Sequence, residues 1–222
     1  MRPTALIADM AGTTIEDGGL VLAAFADALD ALGIPEGHAE RSAALAFVVE
    51  TMGQSKIDVF TELFGANRAD EANQAFEAAY SARLTMDGAQ PIAGVPWLLE
   101  ELPRRGVAVA LTTGFSPSTR EALLDALAWQ DLIAVAISPA DAGRGRPHPD
   151  MVLEAARRLG IDDLATVVVA GDTASDMEAG VAAGAGMVVG VLSGTDGAAR
   201  LEAAGATHIL DSLTALPGLL DL

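Results

Sequence analysis

The chain of 222 residues contains no cysteine, which excludes disulfides, zinc–thiolate sites and thiol catalysis. Positive charge is scarce: 13 Lys plus Arg stand against 31 Asp plus Glu, a formal net charge of -18. A field of that sign repels nucleic acid and anionic membranes, so neither is expected as a partner. Each cation is therefore informative, because an acidic protein that handles a phosphorylated ligand must gather its few cations at the site. Only one of them is a lysine, Lys56. Aromatics make up 4% of the chain and histidines number three. No apolar run reaches the length of a membrane span. The opening Met1-Arg2-Pro3-Thr4 carries no signal-peptide pattern, and the expectation is a cytoplasmic protein.

Apolar residues, by contrast, are plentiful. At 51% they suffice for a sizeable core, and the length suits one large domain or a core with an insertion. Short apolar runs at 5–8, 107–111, 132–137, 166–170, 187–192 and 208–210 have the length and flanks of buried strands. From Trp97 they alternate with helical stretches over 97–105, 117–129, 149–159 and 177–183. Strands that are apolar on both faces and separated by helices predict an α/β fold, a doubly wound parallel sheet with all strand ends on one edge. Between the first two runs lie four helical stretches, roughly 20–32, 38–51, 54–64 and 69–85, with no strand among them. This pattern predicts a small helical domain at 17–90, inserted as a cap into a core of 1–16 and 91–222. Gly18, Gly19, Gly88 and Gly94 sit at its boundaries as hinge candidates.

Three strand ends carry polar residues suited to one task. The first ends at Asp9, followed by Ala11, Gly12, Thr13 and Thr14. The second leads into Thr112-Thr113-Gly114, and the fourth into Asp172, with Thr173, Ser175 and Asp176 after it. Gly12 lets the backbone approach a ligand closely, and the threonines suit an oxyanion or a turn. Carboxylates converging from separate strands need a cation between them, and hard oxygen donors suit Mg²⁺. Arg144 and Arg146 lie in a Gly-rich loop where a guanidinium suits bidentate phosphate binding. Each feature alone equally suits a plain strand end or a solvated loop; together, in this order, they point to a phosphoryl site. His38, His148 and His208 have no metal-ligand spacing, and Trp97 and Trp129 are expected in the core or an interface.

The order of these stretches resembles the haloacid dehalogenase superfamily. The resemblance implies that Asp9 is a nucleophile that accepts a phosphoryl group. Gly12, Thr13, Thr112, Thr113, Gly114 and Arg146 would bind its oxygens, with Arg146 where that family usually has Lys. Mg²⁺ would be held by Asp9, the Ala11 carbonyl and Asp172, with Asp176 in support. Phosphatases of the superfamily place a second Asp where this chain has Ala11, and that Asp protonates the leaving oxygen. Ala11 has no proton to give, so either the protein is a poor phosphatase or its leaving group needs no proton from that position.

A carbon leaving group is one such group, provided that an imine takes up its electrons. Lys56 shares a helix face with Val59, Phe60 and Leu63, and an apolar setting lowers an amine's pKa; the same spacing suits a lysine that snorkels to solvent. Asp9-x-Ala11-Gly12-Thr13, Arg146, and Met52-Gly53-x-x-Lys56-Ile57-Asp58 together resemble the phosphonatase-like branch, that of the phosphonoacetaldehyde hydrolases. The resemblance implies Mg²⁺-dependent cleavage of the C–P bond of a 2-oxoalkylphosphonate, with Met52 and Ser55 as cap contacts to substrate. Three positions differ from the branch: Val59 replaces a His, Gly19 a Cys and Phe115 a Tyr. A phosphate-monoester hydrolase, like phosphoglycolate phosphatase, and a non-catalytic binder of a phosphate ligand are the alternatives. The Ala- and Leu-rich stretch 20–32 suits either a homodimer face or packing within the cap.

Overall fold

The computed structural model describes residues 3–220, so Met1 and Arg2 of the opening stretch lie outside the described residues. Six strands form one sheet: β1 (Ala5–Asp9), β2 (Ala108–Thr112), β3 (Val135–Ile137), β4 (Val167–Gly171), β5 (Met187–Val191) and β6 (His208–Leu210). Their spatial order is β3-β2-β1-β4-β5-β6, and every neighbouring pair is parallel. The residues of β1 and β4 are buried throughout, which explains their continuous apolar runs. The chain moves outward through β2 and β3, then crosses back to β4 beside β1. The switch point of this doubly wound sheet therefore falls at the C-terminal ends of β1 and β4, where such sheets form their ligand crevice.

Between β1 and β2 run α1 (Leu20–Ala31), α2 (Ala39–Glu50), α3 (Lys56–Phe64), α4 (Ala66–Asp87) and α5 (Val95–Arg104). The remaining helices are α6 (Pro117–Leu127), α7 (Pro139–Ala142), α8 (Asp150–Leu159), α9 (Ala174–Ala183), α10 (Ala198–Ala203) and α11 (Leu216–Leu219). The first four helices form the helical insert. Its entry and exit segments are tied to each other: Glu16 N–H donates to Gln90 O at 2.9 Å, Ile92 N–H donates to Thr14 O at 3.1 Å, and Ile15 bridges Pro91. Gly18, Gly19, Gly88 and Gly94 all have positive φ, as turns at such a junction require.

Some boundaries differ from the periodicity. β3 spans three residues because the apolar Leu132 and Ile133 fall in the turn before it. α9 begins at Ala174 rather than 177, started by a capping box in which Thr173 and Asp176 satisfy each other's backbone N–H. α7, α10 and α11 have four to six residues, too few for a 3.6-residue period to register. Trp129 is buried as expected, but Trp97 is 55% exposed and is no core residue. Among the described residues no helix is long and apolar enough to cross a membrane.

The scarce aromatics are concentrated. Of nine (six Phe, two Trp and one Tyr), six form one chain of ring contacts: Phe25, Phe60, Phe64, Phe76, Tyr80 and Phe115. Five belong to the insert, while Phe115 follows β2, so the rings bind the insert to the sheet. One buried apolar cluster runs through both, from Phe25 and Phe76 to Leu6 and Leu111. Phe76→Ala is therefore expected to cost about 3–5 kcal/mol while leaving a single urea transition by circular dichroism. Two separated transitions would contradict the shared core.

Candidate active site

Strand β1 delivers Asp9 to the switch point, and the tight turn after it returns at once. Ile15 and Thr14 N–H groups both donate to Met10 O, and the Thr14 hydroxyl bonds the Asp9 and Met10 carbonyls. Gly12 is required there: its φ is +87°, and an added Cβ would lie 2.5 Å from Asp172 Oδ2. Asp172, just beyond β4, accepts the Thr13 hydroxyl at 3.0 Å and the Thr195 N–H at 2.8 Å. Gly194 closes its other side, since a Cβ there would lie 2.0 Å from the same carboxylate.

The cation among these carboxylates is Arg146. Its Nη1 donates to Asp9 Oδ1 at 2.6 Å and to Asp176 Oδ1, and all three side chains are buried. Asp176 Oδ2 completes the capping box by accepting the Thr173 N–H at 3.1 Å and its hydroxyl at 2.5 Å. Arg146 Nε is buried and has no hydrogen-bond partner. Arg144 takes no part: it is exposed and forks onto Asp150 at 2.9 and 3.0 Å. Burial pushes the Asp9 carboxyl up; Arg146 opposes this, and Asp176 and Asp172 add to it. Asp172 is also raised, by burial and then by Asp176. By number, the acidic side chains here, Asp9, Asp172 and Asp176, exceed the cations Arg146 and Lys56. Among the described residues no group of three or more His, Cys, Asp or Glu side chains is arranged to hold a metal ion.

The insert brings Lys56 to the same place. Loop 52–55 and the start of α3 meet the core at three glycines that leave no room for a side chain. An added Cβ would lie 2.2 Å from Thr173 Oγ1 at Gly53, 2.3 Å from Gln54 O at Gly114, and 2.6 Å from Ser55 Cβ at Gly145. The Lys56 N–H donates to Gly114 O at 3.1 Å. The Lys56 amine lies 5.7 Å from the centre of the Phe25 ring and 5.6 Å from that of Phe115. Lys56 is 5% exposed. Burial lowers its pKa from 10.5 to about 8; Arg146 adds to the fall, while Asp9, Asp17 and Asp172 oppose it. Val59 and Phe60 share its buried face, whereas Leu63 is half-buried.

Asp9, Ala11, Met52, Lys56, Thr113, Gly114, Arg146 and Asp172 line one small cavity of about 30 Å³. Gly12, Thr13, Thr112, Asp176 and Ser55 are not on its wall: the first four lie behind it, and Ser55 is buried at the seam with its hydroxyl unpartnered. Asp17, Thr173 and Thr195 also line the cavity. Sequence reasoning missed Asp17 and Thr195 as site residues. Asp17 is also a turn residue, accepting the Gly19 and Val21 N–H groups at 3.1 and 3.2 Å. Thr195 contributes a backbone N–H, for which a sequence has no signal.

The chain belongs to the haloacid dehalogenase-like hydrolase family, whose model matches residues 6–190. It is thus a hydrolase with the parallel fold of that family. Phosphonoacetaldehyde hydrolase of Klebsiella pneumoniae subsp. pneumoniae is 30% identical over 257 positions, covering 97% of this chain and 93% of that protein. Among solved structures, a hydrolase from Pseudomonas syringae matches with TM-score 0.85 and 27% identity over 99% of each chain. A phosphonoacetaldehyde hydrolase-like protein from Oleispira antarctica shares the fold, with TM-score 0.84 and 23% identity over 100% of this chain and 92% of that one.

A buried lysine with a depressed pKa makes a stability prediction. Between about pH 8 and 10.5 the unfolded chain binds the Lys56 proton and the folded chain does not, so stability rises with pH there. Below pH 8 the full penalty of a buried ammonium applies. Lys56→Met is expected to raise stability at pH 7 by about 1–3 kcal/mol, and this gain should fade as the pH approaches 10.5 in urea titrations. A variant less stable than the parent at pH 7 would contradict it.

Proposed function

We propose that the protein is a Mg²⁺-dependent hydrolase that cleaves the C–P bond of a 2-oxoalkylphosphonate such as phosphonoacetaldehyde. The observation that carries this reading is the pairing of Asp9 with Lys56 on the wall of one small cavity, the lysine buried near two rings with its pKa near 8. A lysine serving only solubility would not be buried there, at a cost in stability. About a tenth of it is neutral at pH 7, enough to attack a carbonyl.

In the proposed reaction the Lys56 amine adds to the substrate carbonyl and water leaves, giving an iminium. An Asp9 carboxylate oxygen then attacks phosphorus from the side opposite the C–P bond. The electron pair of that bond moves into the iminium and forms an enamine, so the leaving carbon needs no proton as it departs. This accounts for Ala11, which has none to give. Water attacks the aspartyl phosphate and releases phosphate; protonation at carbon and hydrolysis of the imine release the carbonyl product and free Lys56. Arg146, with its unpartnered Nε, would hold phosphonate oxygens together with Thr113 and the Gly114 backbone, while Thr112, off the cavity wall, would not touch them. Gly12 and Thr13 support the site by shaping and bonding Asp172.

The oxygen-only donors and the excess of acidic side chains fit Mg²⁺. Asp9, the Ala11 carbonyl and Asp172 would hold it, with Asp176 in support, and when bound it would neutralise phosphonate oxygens. The insert, residues 17–90, acts as a cap on a core of 1–16 and 91–222. A cavity of about 30 Å³ has room for about two waters, so substrate enters only when the cap lifts, with Met52 and Ser55 closing over it. The substrate is a small phosphonate.

Phosphate release from phosphonoacetaldehyde with Mg²⁺ tests this, comparing the parent protein with Lys56→Ala and Asp9→Asn. Both variants are expected to lose at least about 10³-fold in activity. If neither the parent nor Lys56→Ala releases phosphate from the phosphonate, while both hydrolyse phosphate monoesters, Lys56 is outside the mechanism and the protein is a phosphatase.

A further inference from the structure

We propose that Glu77 is a positioning residue, a latch that holds the cap closed on the core and so fixes Lys56 opposite Asp9. The inference rests on reading the insert as a cap. Glu77 lies on α4, yet all its described partners belong to the first turn of α6, across the seam. Its Oε1 accepts the Ser116 N–H at 3.2 Å. Its Oε2 accepts the Ser116 hydroxyl at 2.6 Å and also the Thr119 hydroxyl. Ser116 is at the same time the N-cap of α6, its Oγ accepting the Thr119 N–H at 3.3 Å. A carboxylate from one unit thus completes the N-terminus of a helix in the other, where unsatisfied N–H groups and the helix dipole favour negative charge.

The position of this contact gives it consequence. Ser116 is two residues from Gly114, whose carbonyl accepts the Lys56 N–H, and one from Phe115, whose ring faces the Lys56 amine. The residues flanking Glu77 grip the same segment: Phe76 stacks on Phe115 at 6.1 Å and Tyr80 packs on it at 4.5 Å. Movement of segment 114–116 against α4 therefore moves Lys56 against Asp9. The glycines at Gly53, Gly114 and Gly145 let the surfaces approach, and two hydrogen bonds to backbone oxygens, Lys56 N–H to Gly114 O at 3.1 Å and Arg200 Nη2 to Glu50 O at 2.9 Å, cross between insert and core. Glu77 adds a carboxylate with three donors on the segment that carries Gly114 and Phe115.

The choice of partners suits a contact that must open. Within the insert, Arg83 binds Asp27 through two charged hydrogen bonds of 2.7 and 2.9 Å that join α4 to α1. Across the seam the donors to Glu77 are two hydroxyls and one amide. On opening, water replaces neutral donors at lower cost than it separates an ion pair.

The test is hydrogen exchange of the full protein and its Glu77→Ala and Glu77→Gln variants, read in segments 54–57 and 114–119 with β1 and β4 as internal references. Glu77→Ala is expected to raise exchange in both segments about tenfold and leave β1 and β4 unchanged. Glu77→Gln keeps one acceptor oxygen and offers an N–H₂ to the hydroxyls, so it should restore most of the protection. In parallel, the pH midpoint for chemical modification of Lys56 should move up from about 8 toward the ordinary lysine value in Glu77→Ala, because an open cap hydrates the amine. Unchanged exchange at the seam with an unchanged midpoint would overturn the proposal. Exchange raised evenly across the whole chain would overturn it too, by making Glu77 a residue of general stability. Neither readout requires turnover, so a protein that fails to cleave phosphonates but shows the expected exchange pattern retains the latch and loses only the C–P reading.

Discussion

Carboxylates brought to one sheet edge by two adjacent parallel strands repel each other, and everything at this edge follows from how that repulsion is met. Asp9 and Asp172 end or follow neighbouring strands because β1 and β4 flank the switch point. Asp176 adds a third carboxylate because it caps α9. In a chain with a formal net charge of -18, Arg146 is the cation spent here, and it binds Asp9 and Asp176 with one nitrogen. Burial, and after it the neighbouring carboxylates, pushes Asp9 and Asp172 up in pKa, and a site in that state favours further positive charge. Mg²⁺ fits that demand, and a protonated imine on Lys56 fits it as well.

The insert answers a second constraint. A lysine is useful as a nucleophile only when it is partly neutral, which requires removing it from water. The parallel sheet alone offers an open edge. The helical insert covers it, placing Lys56 near its own Phe25 ring and the core's Phe115 ring, and three glycines let the two surfaces meet at backbone distance. Two of the six clustered rings, Phe25 and Phe115, also set the lysine's surroundings. The cost is a buried amine that destabilises the fold below pH 8, a burden a purely structural residue would not carry.

Much of this was legible in the sequence. Six apolar runs correspond to six parallel strands: β1 and β4 are buried throughout and β2 and β5 nearly so, which leaves no polar alternation there to confuse with a helix, while β3 and β6 are short and half-buried. Asp9 and Asp172 stood out as carboxylates directly after such runs, and Lys56 stood out as the single lysine. Less visible were features made by contacts between distant segments. Nothing in the local sequence tells that Gly53 faces Thr173, that Gly145 faces Ser55, or that the Thr195 N–H binds Asp172. Glu77 reads as one of many charges on a polar helix until α6 is placed against it. The capping box at Thr173 and Asp176 was present in the sequence, but the apolar period that set the helix start three residues later concealed it.

The central claim is that Lys56 takes part covalently in cleaving a C–P bond. Its most direct test is borohydride reduction during turnover of phosphonoacetaldehyde with Mg²⁺, followed by peptide mass measurement. Because Lys56 is the only lysine, a side-chain adduct has one place to form. The account predicts an N-ethyl group on Lys56, the reduced imine of a product that has already lost its phosphorus. An unmodified Lys56 under conditions where phosphate is being released would contradict it.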